Sequence, residues 1–166
     1  MFKSTKLPRI LVLFYIFALL LYTLVTLDYF SEPPLFGFIG LGSIASSTFI
    51  LLTRPASPSA SAKNIIPAYL IAILTGIVFQ KIIIFFQPHF SPHLPLHFQG
   101  LAVMSVLTII VIFNNFNIDH PPAIGMTLGL VLESWHYMTI VVLMSSVIGL
   151  LLIPKLFQTP IKNKNI

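Results

Sequence analysis

The sequence predicts an all-α membrane protein built from about six hydrophobic segments, and three observations carry that prediction. Of its 166 residues 57% are hydrophobic and only 8% charged, whereas an ordinary soluble domain carries about 25% charged residues. The apolar residues fall in long runs of the kind that cross hydrocarbon about 30 Å thick. Lysine and arginine sit at the ends of those runs, so the net charge of +5 reads as a topology signal. No basic stripe is interleaved with aromatics, which makes nucleic acid an unexpected partner. The chain has no cysteine, which excludes thiolate metal sites, Fe–S clusters and thiol nucleophiles. One membrane domain, 1–166, is expected.

The first segment, 10–27, follows Lys3, Lys6 and Arg9 and ends at Asp28. It lacks a small-x-small cleavage site and exceeds the usual hydrophobic region of a signal peptide, so a retained helix is expected. The second, 36–53, crowds Gly37, Gly40, Gly42, Ser43, Ala45, Ser46, Ser47 and Thr48 into its first part. Small residues let helices approach closely in lipid and also let backbone approach a ligand, and both readings stand. A Pro/Ser-rich loop with Arg54 and Lys63 follows and belongs on the cytoplasmic side by its charge.

The third segment, 65–86, carries Lys81 near its end, where the ammonium can reach the headgroups. The stretch 87–98 holds His89, His93 and His97 but no Lys or Arg, so it is expected outside. Those histidines are spaced by four, yet Pro88, Pro92 and Pro95 deny them a regular helix, which favours an external loop over a metal site. The fourth segment, 100–117, runs into Asn114, Asn115 and Asn117, and Pro121-Pro122 then enforces a break. A short fifth segment, 122–133, precedes the last, 137–153, and Lys162 and Lys164 place the C-terminus with the N-terminus in the cytoplasm. A helix of about ten to twelve residues rises only about 15–18 Å, so the fifth segment is expected to be a half-helix with its start recessed below the membrane surface.

The motif Asp119-His120-Pro121-Pro122-Ala123 opens that half-helix, with Gly125 and Thr127 just inside it. Proline suits a helix's first turn, which places His120 near the N-cap. Helix starts hold open N–H donors and a partial positive charge, a combination that binds anions. The second segment repeats the pattern loosely, Gly42-Ser43-Ile44-Ala45-Ser46-Ser47-Thr48 leading into Phe49-Ile50-Leu51-Leu52. Interrupted segments in two halves of a chain point to a transporter's central site.

These residues resemble the HPP family of integral membrane proteins: the Gly42–Thr48 motif, the Lys63-Asn64 pair that closes the Pro/Ser loop, and His120-Pro121-Pro122, in that order over about 36–153. The resemblance implies a bundle of four or more membrane helices and, from plant chloroplast and cyanobacterial members, nitrite transport. The chain departs from the family's usual residues at three places, one of them the loop, where Ser61-Ala62-Lys63-Asn64 stands for the common Gln-Pro-Arg-Asn. Gly-Ser-Ile-Ala-Ser-Ser-Thr stands where Gly-Ser-Phe-Gly-Ala-Ser-Ala is common, and Pro67-Ala68-Tyr69 stands where a Gly-Gly-His often follows the loop.

The leading expectation is therefore a transporter or channel for a small inorganic anion, nitrite by resemblance, in a bacterial inner membrane. The expected substrate residues are Gly42, Ser43, Ser46, Ser47, Thr48, Asn114, Asn115, His120, Pro121, Pro122, Gly125 and Thr127, near the facing starts of the second and fifth segments. Asp119, His120, Glu133 and His136 form a candidate proton path, because ionisable residues at membrane depth are costly and usually functional; the alternative is that the acids simply end helices at the interface. Glu133-x-x-His136 has di-iron spacing, but such sites need the motif twice with further glutamates, and Glu32 is the only other glutamate. No cofactor, bound metal or enzymatic activity is expected. Two other classes compete: an assembly or regulatory subunit without transport, and a metalloenzyme using Asp119, His120, Glu133 and His136. Six short helices make a slim pathway for one chain, which favours a homo-oligomer.

Overall fold

The computed structural model describes residues 9–30, 38–86, 96–133 and 135–153. Positions 36 and 37 of the predicted second segment, His89, His93, the His97 side chain and the basic residues beyond 153 lie outside the described residues. Among the described residues the chain is wholly helical. Six α-helices occur: α1 (Arg9–Phe30), α2 (Phe38–Thr53), α3 (Ala62–Phe86), α4 (Leu96–Phe116), α5 (Pro122–Leu132) and α6 (Tyr137–Leu150), with a single 3₁₀ turn at Pro58–Ala60 between α2 and α3. The predicted segments match these helices to within a few residues, the half-helix most closely.

α3 and 98–116 of α4 are long and apolar enough to cross a bilayer, and the other helices carry apolar stretches of 10–17 residues. At 1.5 Å per residue α3 reaches about 38 Å and α5 only about 16 Å. Hydrophobic side chains are turned outward along the helices, among them Phe14 and Phe17 on α1, Leu74 and Val78 on α3 and Leu107 and Val111 on α4. Such an apolar exterior suits lipid and not water.

The short helix α5 is the centre of the bundle, packed against α2, α3 and α4. Contacts along it fix the directions of its neighbours. Ser47, Ser43 and Gly40 of α2 meet His120, Pro122 and Met126 in turn, so α2 and α5 are antiparallel. Ala72, Gly76 and Gln80 of α3 meet Thr127, Leu130 and Glu133, so α3 and α5 are parallel. Gly76 permits that approach, because a Cβ there would stand 2.7 Å from the Leu130 Cβ. α1 packs on α6 through a polar seam: the Tyr15 hydroxyl donates to the Gly149 carbonyl at 2.7 Å, and Thr23 and Ser146 share a hydrogen bond of 2.7 Å. Hydrogen bonds between helices are the expected fasteners where lipid weakens the hydrophobic drive to associate.

The break before α5 is built by a Schellman turn. Asn117 adopts φ 51°, the left-handed region in which asparagine is tolerated. The Ile118 N–H then reaches back to the Phe113 carbonyl at 2.9 Å and the Asn117 N–H to Asn114 at 3.4 Å. The chain turns at once into Asp119-His120-Pro121-Pro122. α5 starts level with Ser47, six residues short of the end of α2 at Thr53, a recess of about 9 Å along the helix. The start of α5 is thus set back from the end of α2.

Candidate functional site

The side chains that sequence reasoning placed in α2 divide between two faces. Gly40, Ser43, Ile44, Ser47, Thr48 and Leu51 are buried, whereas Gly42, Ser46 and Phe49 are exposed. Spacings of three and four residues produce this split, since they collect residues on one stripe of a helix. Gly42 and Ser46 are therefore corrected out of the site. The Ser46 hydroxyl bonds back to the Gly42 carbonyl at 2.8 Å, and a Cβ on Gly42 would meet nothing within 4 Å.

The inward hydroxyls join α2, α3, α5 and the 3₁₀ turn in one buried chain. His120 is fully buried, and so are Ser47 and Tyr69, with Ser43 nearly so. The His120 Nδ1 lies 2.7 Å from the Ser59 carbonyl. A carbonyl only accepts, so Nδ1 carries the hydrogen. Nε2 lies 2.8 Å from the Ser47 Oγ, which is 2.7 Å from the Tyr69 hydroxyl. That hydroxyl also stands 3.0 Å from both the Oγ and the carbonyl of Ser43. Finally Ser43 donates to the Pro122 carbonyl at 2.6 Å.

Counting protons through the chain gives two complete arrangements. With neutral His120, Ser47 donates to Nε2, Tyr69 donates to Ser47, and Ser43 donates to Pro122. With protonated His120, Nε2–H donates to Ser47, Ser47 donates to Tyr69, and Tyr69 turns to the Ser43 carbonyl. No donor is orphaned in either arrangement, which is the condition for polar groups to persist in an apolar interior. The chain can pair its donors with or without one added proton. Tyr69, absent from the expected site, is its hub. The signal was the departure at Pro67-Ala68-Tyr69, where a side chain able to hydrogen-bond stands in place of the family's common histidine.

Other expected residues lie elsewhere. Thr48 is buried beside the chain but bonds its own helix, at the Ile44 carbonyl. Thr127 bonds the Ala72 carbonyl at 3.1 Å and ties α5 to α3. Asn114, Asn115 and Asp119 are exposed, and Lys63 stands exposed at the start of α3. Asn64 donates to the Pro58 carbonyl at 2.8 Å, holding the turn whose Ser59 receives His120. A Cβ at Gly125 meets open space. Glu133 and His136 belong to the far end of α5, about 16 Å from His120 by helical rise. His136 caps α6 by accepting from the Met138 N–H at 3.4 Å. The four ionisable residues therefore do not form one cluster, and among the described residues no three His, Asp or Glu side chains converge.

The start of α5 requires a correction as well. Pro121, not His120, is the N-cap, in helical conformation. Pro121 and Pro122 have no N–H, the Ala123 N–H donates to the His120 carbonyl at 3.2 Å, and the Ile124 N–H donates to Pro121 at 3.0 Å. The open backbone donors expected at this helix start are absent or already engaged. The other end is sealed too: the Trp135 indole donates to the Leu130 carbonyl and Gln80 to the Glu133 carbonyl, each at 2.9 Å. Nor do the starts of α2 and α5 face each other, because the α5 start abuts the middle of α2. Interrupted backbone at membrane depth must be satisfied by protein, and these bonds supply partners at each end of α5.

An open cleft of about 750 Å³ lies between the start of α3 and the end of α4, with Pro58 and Ser61 of the connecting turn also on its wall. Its walls include Lys63, Asn64, Pro67, Ile71, Phe116 and Asn117. Comparison with curated proteins and with solved structures returns no match. A family model described as "HPP, transmembrane region" matches residues 3–164. With that match over nearly the whole chain, and with a buried His120 as the pivot of its helical bundle, the protein belongs to the HPP transmembrane family.

Proposed function

We propose that the protein is a transporter or channel for a small inorganic anion, with nitrite the first candidate, and that the Ser43–Tyr69–Ser47–His120 chain is its polar site. The observation that supports this reading is the chain itself: four polar side chains at the centre of an apolar bundle, where such groups are costly and usually functional. The cluster contains hydroxyl and imidazole donors but no carboxylate, a composition that suits an anion. Separation of α5 from α2 would release the Ser43 and Ser47 hydroxyls from Pro122 and His120 and turn them toward a ligand. Protonated His120 would supply a compensating charge, and the chain can be rearranged around that proton without losing a hydrogen bond. Anion recognition in this reading rests on side chains, since the α5 backbone donors are engaged.

The charge of the Arg54–Lys63 loop supports a cytoplasmic position for it, together with both termini, in a bacterial inner membrane. A homo-oligomer remains part of the proposal because the bundle is slim. The complete internal pairing of the cluster favours a second reading, in which it latches four elements of an assembly subunit and moves nothing. Reconstituted liposomes with an entrapped nitrite reporter decide between them. The transport reading requires nitrite entry that falls at least tenfold in Ser47→Ala and stays at the parent rate in Ser46→Ala. Absence of entry by nitrite, nitrate, formate and chloride through the parent protein would support the latch.

A further inference from the structure

The cleft between α3 and α4 changes character with depth. Lys63, Asn64, Phe116 and Asn117 stand at its mouth, where α3 begins and α4 ends, and Pro67 and Ile71 continue along α3. Positions 63, 67 and 71 recur every four residues and so share one face of α3. From Lys63 to Ile71 that face descends about 12 Å into the apolar span. Phe116 and Lys63 are both exposed, so the cleft is open at its mouth.

The polar groups at the mouth have spare capacity. Among the described residues neither Lys63 nor the Asn117 side chain has an ion-pair or hydrogen-bond partner. Asn64 uses one amide hydrogen on Pro58 and keeps the other. Asp119 follows two residues after Asn117 but does not line the cleft. Pro67 has no N–H, so the Lys63 carbonyl loses its helical partner and remains an acceptor. The mouth thus combines one uncompensated cation, amide donors and a free carbonyl over an apolar wall. Its volume of about 750 Å³ far exceeds that of a nitrite ion, and the apolar wall gives a small hydrated anion nothing to bind.

We infer that this cleft seats an anionic phospholipid, with its phosphate on Lys63, Asn64 and Asn117 and an acyl chain along Pro67, Ile71 and Phe116. Basic pockets between membrane helices at the headgroup level take such lipids, and the lysine stem can lie along apolar surface while its charge meets the phosphate. A headgroup hydroxyl, as in phosphatidylglycerol, has the Lys63 carbonyl as acceptor. The seated lipid would lie against the loop that holds His120 through Ser59, but the inference does not depend on anion transport.

The test uses the full chain carrying Trp135→Phe and Phe116→Trp, which leaves one indole in the cleft. The protein is reconstituted in phosphatidylcholine vesicles in which either phosphatidylglycerol or phosphatidylcholine, at the same mole fraction, carries brominated chains that quench tryptophan. The apparent affinity for phosphatidylglycerol should exceed that for phosphatidylcholine roughly three- to sixfold, the contribution of one interfacial lysine. Lys63→Gln, an exposed substitution that leaves packing intact, should reduce the ratio to about one. Equal quenching by the two lipids in the parent would overturn the inference. So would a preference that survives Lys63→Gln, or one abolished by millimolar inorganic phosphate, which would indicate a site for free anions instead of lipid.

Discussion

Removing single members of the buried chain should destabilise the protein by amounts set by what each removal strands. Tyr69→Phe deletes a hydroxyl that donates to Ser47, yet Ser47 still donates to His120 and Ser43 still donates to Pro122. No donor is orphaned, so the cost is that of one net hydrogen bond, about 1 kcal/mol. Ser47→Ala leaves the His120 Nε2 without a donor, while Tyr69 turns to the Ser43 carbonyl 3.0 Å away. One unsatisfied buried acceptor costs about 1–3 kcal/mol. His120→Ala strands the Ser59 carbonyl and empties a fully buried ring site. An orphaned carbonyl at about 1–3 kcal/mol and a cavity at about 2 kcal/mol or more sum to roughly 3–5 kcal/mol. The order is therefore Tyr69→Phe, Ser47→Ala, His120→Ala, with the last several times the first. Unfolding in mixed micelles, followed through the fluorescence of Trp135, the single tryptophan, measures all three. A Tyr69→Phe loss as large as that of His120→Ala would refute the proton count through the chain.

Three further outcomes follow from packing. Gly76→Ala places a Cβ 2.7 Å from the Leu130 Cβ, and Gly149→Ala places one 2.7 Å from the Leu19 Cδ1. Each should lower stability by roughly 1–3 kcal/mol through overpacking, with Gly76→Ala the worse because Leu19 can swing aside, whereas Gly42→Ala and Gly125→Ala should be tolerated in the same unfolding measurement. Thr139→Val removes a buried hydroxyl that has no partner among the described residues, so its unfolding midpoint should match or exceed that of the parent. Gln80→Leu removes the donor to the Glu133 carbonyl and should speed hydrogen exchange at the C-terminal turn of α5 while leaving its first turn unchanged.

The helices were legible because hydropathy, charge placement and proline breaks all point the same way, and the half-helix of α5 was located to within a residue. The two faces of α2 were less legible. Small and hydroxyl residues cover both stripes of that helix, so no contrast in polarity separates Ser43 and Ser47 from Gly42 and Ser46, and the shared spacing of four does not tell which pair faces inward. The helix-start argument erred for a reason visible in the motif, since two consecutive prolines remove two of the N–H groups it invoked. Tyr69 is visible in the sequence only as a departure from the family's usual residue, which does not tell that its hydroxyl reaches Ser43 and Ser47. The acceptors of Ser59 and Pro122 are backbone carbonyls brought near by the tertiary fold, and a sequence does not reveal such partners. His120 stood out from its motif, but its role as a link between α2, α3 and the 3₁₀ turn required the structure.

The most direct test of the central claim is nitrite influx into liposomes containing equal amounts of correctly folded parent, Ser46→Ala and Ser47→Ala protein. The two serines are adjacent, but one faces outward and the other touches both His120 and Tyr69. The account predicts unchanged flux for Ser46→Ala and at least a tenfold loss for Ser47→Ala. Equal flux through all three proteins would contradict it.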